Sequence, residues 1–167
     1  MEEIINKVAA SGLVTIDLEE MYPSGERVEL DIAPVLWQGL ALREKDYRDW
    51  IAQHDWKSYS GKHVAFFCSA DAIIQPWAFM LLASRLSEFA TTAIQGRIEE
   101  LESALFRAVI DAIDVELYRD KRCVIKGCSN KPVPASAYAY LVTRLQPVAK
   151  SIMFGEPCST VPVYKKS

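Results

Sequence analysis

The feature that most constrains this 167-residue chain is a pattern that occurs twice. Residues 62–69 read KHVAFFCS and residues 121–129 read KRCVIKGCS. Each is a short apolar run bounded by turn residues, as expected of a strand buried in a parallel sheet. Each run ends in Cys-Ser. A proline then opens a helical stretch, Pro76 in one copy and Pro134 in the other. Proline suits that place because first-turn N–H groups have no intrahelical partner. Behind it, Phe79, Leu82, Ala83 and Leu86, and in the second copy Tyr138, Leu141, Val142 and Leu145, fall at i, i+3, i+4, i+7. TTAIQG, ending at Gly96, and KSIMFG, ending at Gly155, supply a closing strand to each copy. The chain thus predicts two duplicated strand-helix-strand units, 62–96 and 121–155. Between them, 97–114 predicts a helix with Ile98, Leu101, Leu105, Ala108 and Val109 on one face and acidic residues in its first turns.

Ahead of the repeat, Leu13–Leu18 (LVTIDL) and Arg27–Ile32 (RVELDI) alternate apolar and polar residues about the turn-forming Pro23-Ser24-Gly25, which predicts an N-terminal β-hairpin. VLWQGLALRE after Pro34 reads as a strand. Glu44–His54, with Tyr47, Trp50 and Ile51 at helical spacing, reads as a short helix, and the small polar loop Ser58–Gly61 ends this portion, residues 1–60. Residues 156–167 form a C-terminal tail with Lys165 and Lys166 solvated. Half the residues are apolar, and a chain of this length buries a substantial core as one unit. The expected fold is therefore a single α/β domain, residues 1–167. Its mixed, largely parallel sheet combines the two units with the hairpin, and the helices pack on it.

A formal charge of −3 and a pI near 5.5 supply no net positive field for phosphate backbones or anionic lipid, so neither nucleic acid nor membrane is an expected partner. Glu2 and Glu3 precede only a short apolar stretch, unlike a signal peptide, and Trp77–Ala83 is far short of the ~20 residues that cross a bilayer. These features predict a cytoplasmic protein whose four cysteines are reduced thiols.

Three of those cysteines precede serine: Cys68-Ser69, Cys128-Ser129 and Cys158-Ser159. Right-handed crossovers make the strands of each unit parallel, which sends Cys68 and Cys128 to the carboxyl edge of the sheet with Cys158 following a strand of the same direction. Open α/β sheets bind ligands at that edge, and helix N-termini there favour the thiolate form. The three thiols are thus expected to converge as ligands of a soft metal, zinc or an iron–sulfur cluster. No C-x-x-C chelate is present. Three thiols also leave one position of a four-ligand site open, to be completed by water or by the second subunit of a homodimer. Ser69, Ser129 and Ser159 support the site, and Asp71 and Lys131 tune it. Cys123 is a core residue at the start of its strand, about 17 Å from Cys128 at ~3.3 Å per residue.

Two further readings stand beside the metal site. One is a non-enzymatic interaction or scaffold domain whose cysteines are buried and structural. The other is a thiol redox or persulfide-handling enzyme with Cys68 or Cys128 as nucleophile. His54 and His63 lack a spacing that would place them together. Trp37, Trp50, Trp56 and Trp77 read as core or interface anchors, and no glycine-rich phosphate loop follows a strand. Gly127-Cys128-Ser129-Asn130 could present backbone N–H groups to an anion.

The segments HDWKSYSGKHVAFFCSADAIIQPWA, IKGCSNKPVP and LQPVAKSIMFGEPCSTVPVYKK closely resemble a bacterial family of unknown function, DUF2480, and the resemblance spans essentially the whole chain. It implies no activity for Cys68, Cys128 or Cys158. It implies a setting among iron–sulfur assembly proteins as partners, which favours the cluster reading.

Overall fold

Both alternating stretches near the amino end become strands, β1 (Leu13–Ile16) and β2 (Arg27–Asp31), but they do not pair with each other. In a computed structural model, which describes residues 12–127, 130–156 and 158–167, each lies parallel to the first strand of a different strand-helix-strand unit. The expected hairpin is therefore corrected, and so is the expected single sheet. Alternation identifies a strand without identifying its neighbour, and a connection from residue 17 to residue 26 imposes no antiparallel pairing as a two-residue turn would.

The chain divides into two compact units: Ser24–Ala104, here the inserted unit, and the stretch up to Pro23 together with Leu105–Ser167, here the split unit. In the inserted unit β2, β3 (His63–Phe67) and β4 (Thr92–Gln95) form an all-parallel sheet in the order β2-β3-β4, with Val64 level with Val28 and Ala93. Central β3 is buried from His63 to Phe66, which explains why it reads as a continuous apolar run. Helix α1 (Glu44–Gln53) buries Tyr47 and Ile51, and α2 (Pro76–Ser87) buries Ala78, Leu82 and Leu86. These side chains meet Leu30, Val64 and Phe66 in one core. Each large apolar side chain so buried stabilises the unit by about 1.5–3 kcal/mol.

The apolar run after Pro34 is not the expected strand. Pro34 sits in a 3-10 turn, Ala33–Val35, and the chain then doubles back through a single bridge between Trp37 and Ala41. Gln38 and Gly39 take positive φ (50° and 68°), and Leu40 N–H donates to Trp37 O at 3.0 Å, a tight turn of the mirror-image type.

In the split unit the order is β1-β5-β6-β7. β5 (Arg122–Ile125) runs parallel to β1 and to β6 (Ser151–Glu156), with α4 (Ala135–Leu145) between β5 and β6 in the chain. The stretch expected as a tail is a strand: β7 (Ser159–Lys165) pairs antiparallel with β6. Helix α3 (Ile98–Asp111) contains a boundary between the units, and its Phe106 and Ile110 join Ile16, Cys123, Leu141 and Ile152 in the split unit's core. Among the described residues no helix is long and apolar enough to cross a membrane.

Candidate functional site

Because β2, β3 and β4 are parallel, their carboxyl ends share one edge, and the residue that follows β3 there is Cys68. Its thiol is half-buried and lies 3.9 Å from the Ala70 carbonyl. Both neighbours of Cys68 are held by the end of β2. On one side Ile32 N–H donates to Phe67 O at 2.9 Å. On the other, one oxygen of Asp31 accepts from Ser69 N–H at 2.9 Å and the other accepts from the Ser69 hydroxyl at 2.5 Å. The same carboxylate accepts from Ala33 N–H at 2.9 Å. Arg97, just past β4, stacks over the Phe67 ring at 3.9 Å.

Partial burial pushes the Asp31 carboxyl upward, but the Ser69 hydroxyl, the N–H groups of Ala33 and Ser69, and the Arg97 guanidinium outweigh it, so the group titrates below the ordinary aspartate range. A depressed carboxyl contributes stability above the unfolded-state value near ~3.9 and loses it as pH falls through the folded value. Asp31→Asn should therefore cost about 1–2 kcal/mol at pH 7, with the deficit shrinking progressively below about pH 4. Urea midpoints of parent and variant across that range check this, and a deficit that stays constant into acid would refute the charge-based account.

The split unit has a related edge. Asp17 follows β1 and Lys126 follows β5, with Asp17 Oδ2 3.5 Å from Lys126 Nζ, and the pairing raises the lysine's affinity for its proton. Glu19 accepts from Asn130 N–H at 3.0 Å. Gly127 packs under Phe154, where an added Cβ would sit 2.8 Å from Cζ, so the chain leaves β5 through a space that admits glycine. Cys158 is exposed, in the turn between β6 and β7, and Ser159 opens β7, also exposed. Asp71 is exposed in the loop after β3, and Lys131 Nζ lies 5.6 Å from the centre of the Tyr22 ring.

Cys68 with Ser69 and Cys158 with Ser159 thus stand at the carboxyl ends of β3 and β6, in different units. Cys128 and Ser129 lie outside the described residues, as does part of the suggested anion cradle at 127–130. Among the described residues no three His, Cys, Asp or Glu side chains gather in a metal-holding group. Cys123 is fully buried, as its sequence position suggested, and burial pushes its thiol up against the opposing influence of Lys121. Among the described residues neither histidine joins a cysteine. His63 is buried with Nε2 2.7 Å from Ser24 O, and His54 sits among Trp50, Trp56 and Tyr59, with burial lowering its pKa against Asp55.

Asp31 is the residue that sequence reasoning missed. Its signal was present: VTIDL at 14–18 and VELDI at 28–32 each put an aspartate just where an amino-terminal strand ends.

A model of the family described as protein of unknown function (DUF2480) matches residues 2–166. No curated protein and no solved structure matches the chain.

Proposed function

Since the chain belongs to the DUF2480 family, whose description assigns no reaction, we propose from its own residues that it is a cytoplasmic accessory protein that holds a soft metal through Cys68, Cys128 and Cys158. The metal is zinc or an iron–sulfur cluster, and iron–sulfur assembly proteins are the partners this implies. The supporting observation is a division among the thiols. Cys123 is sealed in the core, whereas Cys68 and Cys158, both followed by serine, stand at the ends of parallel strands within reach of solvent. Thiolate sulfur is the donor such metals take. Cys68 and Cys158 fit that chemistry in type and access, and Cys128 or a second copy must supply what they lack. Held metal would fix the ligating loops and keep their thiols deprotonated. Asp31, by fixing Ser69, orients the Cys68 loop for that role.

Metal analysis and visible absorption on protein purified without oxygen test the proposal, with Cys68→Ser, Cys128→Ser, Cys158→Ser and Cys123→Ser compared against the parent. Stoichiometric metal is expected in the parent and in Cys123→Ser and is lost in the other three, where thiol reagents then modify the remaining ligands quickly. A metal-free, colourless parent whose Cys68 and Cys158 react at one rate with or without added zinc or iron overturns it.

An interaction domain is the second reading. Ile73 and Met80 are 89% and 69% exposed, far more than large apolar side chains need be unless another surface covers them.

A further inference from the structure

One edge of the split unit gathers positive charge. Arg122 opens β5, Ser151 opens β6 and Lys165 closes β7, and the three stand level across the sheet. The next row out is lysine on all three strands. Lys150 N–H donates to Lys121 O at 2.8 Å and Lys166 N–H donates to Lys150 O at 2.9 Å, which sets Lys121, Lys150 and Lys166 side by side. These lysines, Arg122 and Lys165 are all exposed. Lys166 pairs with Asp120 at 3.5 Å, both side chains more than half exposed. Among the described residues Lys121, Lys150 and Lys165 make no ion pair. Like charges placed opposite one another on neighbouring strands repel. A chain whose formal charge is −3 thus concentrates cations where they cost stability, and bound negative charge offsets that cost.

The size and surroundings of the row set the partner's chemistry. At ~4.8 Å between strands, three strand ends spread their lysines over about 10 Å, the length of about three residues of extended chain. Before β5 the chain carries Asp114, Glu116 and Asp120, all exposed. A duplex or a bilayer reaches past the row and sets its phosphates against those carboxylates, whereas a short acidic segment engages the row alone. Toward β7 lies an open groove of about 490 Å³ lined by Thr143, Gln146, Pro147 and Tyr164. Pro147 precedes Lys150 by three residues and Tyr164 adjoins Lys165. These lining residues carry no charge, so the groove suits an uncharged side chain borne between carboxylates.

We propose that this edge docks a short acidic segment of another protein, laid across the ends of β5, β6 and β7 with its carboxylates against Lys121, Lys150 and Lys166 and an uncharged side chain in the groove beside Tyr164. Lysine suits the contact, because its ammonium is a point charge on a flexible stem and follows a carboxylate without demanding one fork geometry. Exposed pairs are individually weak and screened by salt, so binding rests on several at once and falls with ionic strength. None of this rests on the thiol reading.

The test uses the full chain and a fluorescein-labelled decapeptide of alternating glutamate and alanine. A form with glutamine for glutamate, a single-stranded oligothymidine and vesicles of phosphatidylserine and phosphatidylcholine are the comparisons. Fluorescence anisotropy, vesicle co-sedimentation and amide chemical shifts are the readouts. Saturable binding of the glutamate peptide is expected, with shifts concentrated at 120–122, 150–151 and 164–166, and none by the glutamine form. Raising salt from ~20 to ~200 mM should weaken it about tenfold or more. Lys150→Glu with Lys166→Glu should weaken it about tenfold or more, while Lys57→Glu, the same kind of charge change at an exposed site of the inserted unit, leaves it within about twofold. Lys150→Gln, which relieves repulsion without adding a charge, should keep or raise the urea midpoint and still weaken binding. Absence of binding, equal binding of the two peptides, an equal loss in Lys57→Glu or no loss in the double variant overturns the proposal. Tighter binding of the oligothymidine or the vesicles, with shifts at the same amides, assigns the edge to a phosphate surface and overturns it too. Binding that emerges only with Glu2→Gln and Glu3→Gln assigns the lysines to the chain's own amino end, with the same consequence.

Discussion

Glu102→Gln should destabilise the inserted unit by about 3–5 kcal/mol, more than any surface ion-pair change in this protein. Arg27 on β2 and Glu102 on α3 face each other at 2.6 Å and 3.3 Å through two guanidinium nitrogens, with side chains only 12% and 14% exposed. A third nitrogen of Arg27 reaches the Gly25 carbonyl at 2.6 Å. The glutamine keeps the shape and removes the charge, so a nearly buried guanidinium loses its counter-charge. The loss of that attraction at a side chain so far out of water is the source of the cost. Replacing both partners, as in Arg27→Met with Glu102→Leu, should recover most of the loss, because the desolvation penalty disappears along with the attraction. Urea unfolding of the parent, Arg27→Met, Glu102→Leu and the double variant closes the cycle, with Glu102→Gln measured beside them. A loss below about 1 kcal/mol for Glu102→Gln would place this pair with exposed ones such as Lys45–Asp49.

Gly155→Ala should be comparably damaging, about 3–5 kcal/mol, and confined to the split unit. Gly155 sits in β6 at φ 125°, a backbone conformation that side-chain-bearing residues rarely adopt, and a Cβ there would lie 2.5 Å from the backbone oxygen of Ser159. Backbone on both sides cannot yield as a flexible side chain would. The β6–β7 pairing, including Phe154 with Val161 and Glu156 with Ser159, must open or shift. Gly127→Ala is the informative comparison, because its Cβ would meet the Phe154 ring, which can move. Amide exchange should accelerate along β7 in Gly155→Ala and much less in Gly127→Ala. Equal protection of β7 in both would show that the strand does not depend on this approach.

The strand-helix-strand units were legible because several signals agreed at each: an apolar run, a proline at the helix start and a helical stripe. Pro76 is the first residue of α2 and Pro134 precedes α4, as their missing N–H groups favour. The partners of β1 and β2 were not legible, since the choice between an antiparallel neighbour and a distant parallel one is made by packing rather than by local pattern. β7 was hidden by Pro162, which argues against a central strand but is tolerated on an edge, here next to a register shift opposite Ile152 and Met153. Of the candidate site, topology alone was enough to send Cys68 to a carboxyl edge and Cys123 to the core. Asp31 escaped notice because an aspartate in an alternating strand reads as an outward-facing residue, and only the pairing of β2 with β3 brings it to Ser69.

The division of the chain into an inserted and a split unit orders events during synthesis. Every strand and helix of the inserted unit's core emerges within one continuous stretch, Ser24–Ala104, and its β2-β3-β4 sheet can close as soon as Gln95 has left the ribosome. β1 has no such option. Leu13 must wait for Arg122, the residue beside it in the sheet, and at ~5–20 residues per second that interval is roughly 5–20 s. For that time β1 is a nascent segment without its ladder, exposed to chaperones and to mispairing, while the sheet encoded after it is already complete.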